Sequence, residues 1–403
     1  MSIVALATAG ACLPAAQAPA GSTVSPPATP SPTPAVPPPS ATPSAVATAS
    51  TGAPTIPPSP TVAPVLSVKT IGPIPPEFRY IQTTVRLLLI DPANKRASEV
   101  LRYDVNGQPR QVEFSASDDG RTLAVIAHPA ENVGTIYIVR PEAGDATTRL
   151  QQEGITKPSL SRDGKTLAYQ RVSVDPAVHG VWLMDLPQGT SRRIVADEVM
   201  RVGSPPLPLA WSHDGRWLAV MTNAGGPGAE RVAAVDATAG ETHFDGTGAF
   251  VGGLARTGPG GVFADWKDQR LLVTSSSGPL AGTRASVDLF DVASGTSRNL
   301  VRPAADRNVF GALWRPGAES YVVLEGPYNT GPGSPLDVQL RGLDGSSRSV
   351  FQSGFLADLW WSPDGSKLYA WTGGDDSTGG IAEIFSGATF PFCLRGGSAP
   401  PCL

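Results

Sequence analysis

The chain has 403 residues, a formal net charge of −4 and only 16% charged residues. That length suffices for one large core or for two ordinary domains, and the mild acidity with no basic run excludes the electrostatic footprint of a nucleic-acid binder. Gly (44) and Pro (41) together run at about twice ordinary usage, with Pro concentrated before residue 80 and Gly spread over the rest, which separates an unstructured head from an all-β body.

The head opens MSIVALATAGACLPAAQAPAGS. Residues 3–9 are apolar or small, and Ala9-Gly10-Ala11 run into Cys12. This resembles the end of a signal peptide with a bacterial lipoprotein cleavage box (residues 1–12), in which Cys12 becomes the lipid-modified N-terminus. Ala9 stands where Leu is commoner, and no Lys or Arg precedes Lys69. A start site assigned too far downstream explains both. A secreted protein with an unusual signal, and an ordinary N-terminus, stay open as readings. Residues 13–70 are almost wholly Pro, Thr, Ser, Ala, Val and Gly. Such a segment cannot bury enough surface to offset its ordering entropy. Its prolines favour polyproline II, so it reads as a semi-stiff stalk.

From residue 79 one pattern recurs: an apolar strand, a Trp or other apolar residue, a Ser, a turn ending Asp-Gly, a basic residue and a second apolar strand. Leu359-Trp360-Trp361-Ser362-Pro363-Asp364-Gly365-Ser366-Lys367-Leu368-Tyr369 is the clearest copy. Leu209-Ala210-Trp211-Ser212-His213-Asp214-Gly215-Arg216-Trp217-Leu218 is the next. Turn positions fall at Asp119, Asp163, Asp214, Asp268, Gly317 and Asp364, spaced by 44, 51, 54, 49 and 47 residues. That is the length of a four-stranded propeller blade. Gly accepts the positive φ of the tight turn, and the Asp carboxylate can take backbone N–H groups there. The Trp before the Ser is placed to fill the gap between neighbouring blades, since one blade cannot bury both its faces alone.

The W-S-x-D-G-x-x-L-A frame resembles the repeat of TolB-like β-propellers over about residues 79–390. The resemblance implies an all-β propeller of antiparallel four-stranded blades. It implies little about activity, because the family is functionally diverse. A partial unit precedes the first Asp-Gly copy, with strands expected at 78–82, 85–91 and 97–103. Seven blades therefore fit better than six, with a C-terminal segment near Phe390–Leu394 completing the partial blade. The propeller is placed at 71–395 and a tail at 396–403.

Chemistry is sparse. His213 occupies the variable slot of a repeat turn and reads as a solvated turn residue. His128 and His179 lie in loops on one side of adjacent blades. The recurring Asp119, Asp163, Asp214, Asp268 and Asp364 could be read as metal ligands, but a residue that every hairpin needs is a fold residue. No nucleophile elbow, Walker loop or dinucleotide fingerprint appears in context, so no catalytic residue, metal or cofactor is assigned. Cys393 and Cys402 could form a disulfide or be two free thiols. The Gly-Pro loops 223–228 and 326–333 are the binding candidates, with Tyr328 and Asn329 as the groups such surfaces use. The reading is a monomeric, non-enzymatic propeller of the cell envelope. It binds a protein or glycan partner, with the membrane involved only through a lipid anchor. The alternative is a lactonase- or lyase-like enzyme acting in the central funnel.

Overall fold

The computed structural model describes residues 64–83, 85–196, 206–223, 230–239, 242–243, 254–257, 262–275, 285–327, 335–353, 358–371 and 378–393. Among these residues the chain forms seven sheets, all antiparallel apart from one short added strand. They are the seven blades of a β-propeller. Blade 2 shows the plan, running inside to outside as Glu113–Ala116, Leu123–Ala130, Val133–Arg140 and Asp145–Glu153. The inner strands of blades 3 to 7 are Ile155–Leu160, Leu207–Trp211, Val262–Lys267, Arg307–Trp314 and Asp358–Trp361. In such a meander the turns after the first and third strands share one face, here called the turn face. The loops after the second strand, and the crossings to the next blade, share the other, the loop face.

The repeat turns are built as the residue types dictate. In the 212–217 turn the Ser212 hydroxyl donates to Asp214 Oδ1 (2.5 Å) and accepts from Trp217 N (2.8 Å), while Arg216 N donates to the same Asp214 oxygen (3.0 Å). Gly215 holds φ +68°. Asp119, Asp163 and Asp364 repeat this arrangement with Ser117, Ser161 and Ser362. Asp268 departs from it. Lys267 pairs directly with Arg270, so Asp268 sits in a two-residue hairpin and itself takes φ +53°, the place a Gly fills elsewhere. It fixes no turn as an acceptor.

The repeat Trp does bridge blades. Trp211 Nε1 donates to Ser159 O (2.9 Å) and Trp266 Nε1 to Ala210 O (2.9 Å), each acceptor lying on the preceding blade's inner strand.

Blade 1 is assembled differently. The expected strands are present as Arg79–Gln82, Leu87–Asp91 and Arg96–Val105, and Val65–Val68 pairs outside the last of them. The propeller thus begins inside the segment read from sequence as stalk. The segment Ala388–Cys393 does not complete blade 1. It pairs with Thr378–Glu383 as the outer strand of blade 7, because the turn at Gly387 folds it straight back on its predecessor.

Among the described residues the ring closes through side chains. Ile81, Leu88 and Ile90 of blade 1 pack on Trp360, Tyr369, Trp371 and Ile381 of blade 7. Arg79 pairs with Asp358, and Glu77 accepts from Lys367 Nζ (3.1 Å) and the Tyr369 hydroxyl (2.5 Å). At roughly 25 cal/mol per Å², an aromatic side chain burying ~150–250 Å² contributes on the order of 4–6 kcal/mol gross. Apolar packing therefore supplies most of the seam's adhesion, and the ion pairs set its alignment.

Candidate functional site

A polar cluster on the loop face joins blades 2 and 3 at the axial mouth. Glu113 opens the inner strand of blade 2, and Thr156 and Lys157 open that of blade 3. The register of blade 3 slips between Thr156 and Ser159, and Lys157 adopts φ +53°. That bulge aims both the backbone and the side chain of Lys157 at one carboxylate. Lys157 N and the Thr156 hydroxyl donate to Glu113 Oε2 at 2.7 and 2.6 Å, and Lys157 Nζ donates to Oε1 at 2.7 Å. His128, near the end of the second strand of blade 2, brings Nε2 to 3.9 Å from Oε2.

Burial alone would raise the Glu113 carboxyl, yet His128, Lys157 and Thr156 together hold it down at about 2. The same carboxylate pushes the His128 imidazole above its ordinary value. The cluster sets a fixed anion between the Lys157 ammonium and the His128 imidazole, whose side chains are open to solvent at 53% and 39%.

Other inner-strand openings on this face are also charged and paired. Arg307 Nε lies 3.6 Å from Glu325 Oε2, and Arg341 Nη2 donates to Glu325 Oε1 at 2.6 Å. Asp358 opens blade 7 and carries the pair to Arg79. On the turn face Arg162 gathers three acceptors. Nη1 donates to Asp118 (3.1 Å), Nε to Trp211 O (3.3 Å), and Nη2 lies 3.8 Å from Asp265. Asp265 also accepts from Trp266 N (2.9 Å) and Trp314 N (2.8 Å), and burial raises its pKa.

His128, His179 and His213 do not converge. His179 is buried in its own loop, where Nδ1 accepts from Ser173 N (3.1 Å). His213 is an exposed turn residue. Tyr328, Asn329, Cys12 and Cys402 lie outside the described residues, as does most of the 223–228 loop. Cys393 ends the last described strand, its backbone paired with Thr378. Among the described residues no group of three His, Cys, Asp or Glu side chains is placed to hold a metal ion, and no helix is long and apolar enough to cross a membrane.

The sequence reading missed Glu113 and Lys157. A signal existed: they are 44 residues apart, one repeat, as are Asp118 and Arg162. Opposite charges one repeat apart fall on neighbouring blades at equal height.

No family model matches the chain, and no curated protein matches it. Solved structures do. An oligogalacturonate lyase from Vibrio parahaemolyticus superposes with TM-score 0.52 at 11% identity, over 82% of this chain and 88% of that one. One of two prolyl endopeptidases studied for inter-domain dynamics gives 0.53 at 14% identity over 82% of this chain, which spans half of that chain's length. TolB from Acinetobacter baumannii gives 0.42 at 15% identity, over 72% of this chain and 63% of that one. At these identities the likeness concerns the fold alone, and the fold is the β-propeller.

Proposed function

We propose that the propeller is a non-enzymatic binding module, held outside the cytoplasm on its Pro-rich segment through Cys12. It presents the loop-face mouth to a protein or glycan partner. The observation that carries this reading is the state of Glu113. A general acid or base works best with a pKa near the working pH. A carboxyl held at about 2 is instead a permanent anion that fixes Thr156 and Lys157 in place, with His128 3.9 Å away. Fixed charges at a rigid rim suit recognition and steering more than proton transfer.

The second reading, a lyase- or lactonase-like enzyme, has His128 at the mouth in its favour, since a histidine there can titrate near neutrality. One experiment separates the two. The full chain and its Lys157→Ala and His128→Ala variants are compared for capture from envelope extract, for binding to neutral and acidic glycans, and for ultraviolet-absorbing unsaturated sugar products. Stoichiometric capture that Lys157→Ala weakens supports the binding module. Catalytic product formation lost in His128→Ala supports the enzyme and overturns our reading.

A further inference from the structure

Asp118 and Arg162 occupy the variable position of the Ser-x-Asp-Gly turn in blades 2 and 3. These turns close the inner strands, so both residues stand beside the axis at the turn-face end. Asp118 N donates to Arg162 O (2.9 Å), which aligns the two turns, and Arg162 Nη1 donates back to Asp118 Oδ2 (3.1 Å). Nε of the same guanidinium donates to Trp211 O on blade 4 (3.3 Å), and Nη2 lies 3.8 Å from Asp265 Oδ1 on blade 5.

Asp265 in turn faces the axis. Arg315 N donates to Ser320 O within blade 6, so in the alternation of an antiparallel ladder Trp314 N points the other way, toward the axis. Asp265 Oδ2 accepts that axis-facing N–H (2.8 Å). Blades 2 and 5 stand three steps apart in a ring of seven, nearly opposite each other. The two terminal nitrogens of a guanidinium share one carbon. A group that meets Asp118 with one nitrogen and Asp265 with the other therefore lies across the axis. The exposures agree with that placement: the Arg162 and Asp265 side chains are 25% and 22% exposed, against 57% for Asp118 at the rim.

We propose that Arg162 is a bolt across the turn-face end of the axis. It holds blades 2 to 6 at fixed separation there, through Asp118, Trp211 O, Asp265 and the Trp314 amide. An ammonium would hold one carboxylate as a point charge, whereas the planar fork serves partners on opposite sides at once. The loop-face pairs described above have a shorter reach. Glu113 with Lys157 and Asp358 with Arg79 join neighbouring blades, and Glu325 with Arg307 and Arg341 stays within blade 6. The loop-face end is the one that can widen. On the binding reading above, it is the end that admits a partner's side chain to the axis.

The test measures distances between spin labels by double electron–electron resonance, in the full chain carrying Cys12→Ser, Cys393→Ser and Cys402→Ser. One label pair sits on the turn face, at Ala143→Cys and Ala293→Cys of blades 2 and 5. The other sits on the loop face, at Glu131→Cys and Asp306→Cys, and all four positions are exposed. The expected result is a narrow distance distribution for the turn-face pair and a broader one for the loop-face pair. Arg162→Ala should broaden the turn-face distribution about twofold or more and leave the loop-face one as it was. Arg162→Lys, which keeps the charge but not the fork, should broaden it as well. A turn-face distribution unchanged in both variants overturns the proposal. So does equal broadening of both pairs, which would mean a general loosening of the ring. Partner capture at the mouth is a separate readout, so the bolt and the binding reading fail separately.

Discussion

Arg79 and Asp358 stand 279 residues apart in the chain and share a two-bond ion pair, with Nε donating to Oδ2 at 2.7 Å and Nη2 to Oδ1 at 3.0 Å. The Asp358 side chain is 7% exposed and that of Arg79 20%. The pair spans the seam where blade 7 meets blade 1. Removing Arg79 strands a buried carboxylate, so Arg79→Ala should cost ~2–4 kcal/mol in urea unfolding. Replacing both residues with Leu should cost less than Arg79→Ala alone, because no charge is then left unpaired. A loss below ~0.5 kcal/mol for Arg79→Ala would show that the apolar seam needs no ionic alignment.

The repeat turns give a contrast between two positions that look alike in sequence. Ser212 is fully buried and serves both Asp214 and Trp217 N. Ser212→Ala should destabilise by ~1–3 kcal/mol, chiefly by orphaning that amide. Asp268 instead carries a left-handed backbone with an exposed side chain. Asp268→Gly should be neutral or stabilise by up to ~1 kcal/mol. Denaturant midpoints check both, and a destabilising Asp268→Gly would restore this residue to the rank of its sister aspartates.

Most of the fold was legible in the sequence because a propeller repeats its physics. Each Ser-x-Asp-Gly turn is a local solution, written within six residues and copied around the ring. What was illegible is what breaks the repeat. Nothing local marks Val65–Val68 as a strand outside blade 1, because its pairing with Leu101 to Asp104 is a tertiary choice. Asp268 misled because two-residue and longer hairpins share an Asp at nearly the same spacing. The mouth cluster was missed for a related reason. Glu113 gains meaning only beside a Lys157 whose direction is set by a bulge. The Arg79–Asp358 pair, formed between the first and last blades, lies beyond any local pattern.

The tryptophans allow a test of how blades are held together. The Trp211 indole donates to Ser159 O (2.9 Å), whereas the buried Trp314 indole nitrogen has no acceptor among the described residues. Lys267 and Arg270 lie over the Trp314 ring at 5.6 and 5.4 Å instead. Both Trp→Phe changes remove similar volume, so their difference reports the hydrogen bond. Trp211→Phe should cost ~0.5–1.5 kcal/mol more than Trp314→Phe, since it removes a buried hydrogen bond that Trp314 does not make. Equal costs, measured by urea unfolding, would mean that shape alone joins the blades.

The mouth cluster predicts two opposed pH dependences. Glu113 titrates at about 2 in the folded chain against an ordinary 4.5, so its contribution to stability is complete above ~4.5 and is lost as pH falls toward 2. His128 is shifted upward from 6.5, so its contribution is complete below ~6.5 and is lost as pH rises through the higher folded value. Stability from this cluster should therefore peak between the two windows. Glu113→Gln should flatten the acid side and also remove the upward shift of His128, so the alkaline side flattens with it. His128→Ala should flatten mainly the alkaline side, because Lys157 and Thr156 still hold Glu113 down. Urea midpoints from pH 3 to 8 measure all three profiles. A Glu113→Gln profile that keeps its alkaline slope would show that another group, not the Glu113–His128 pair, produces it.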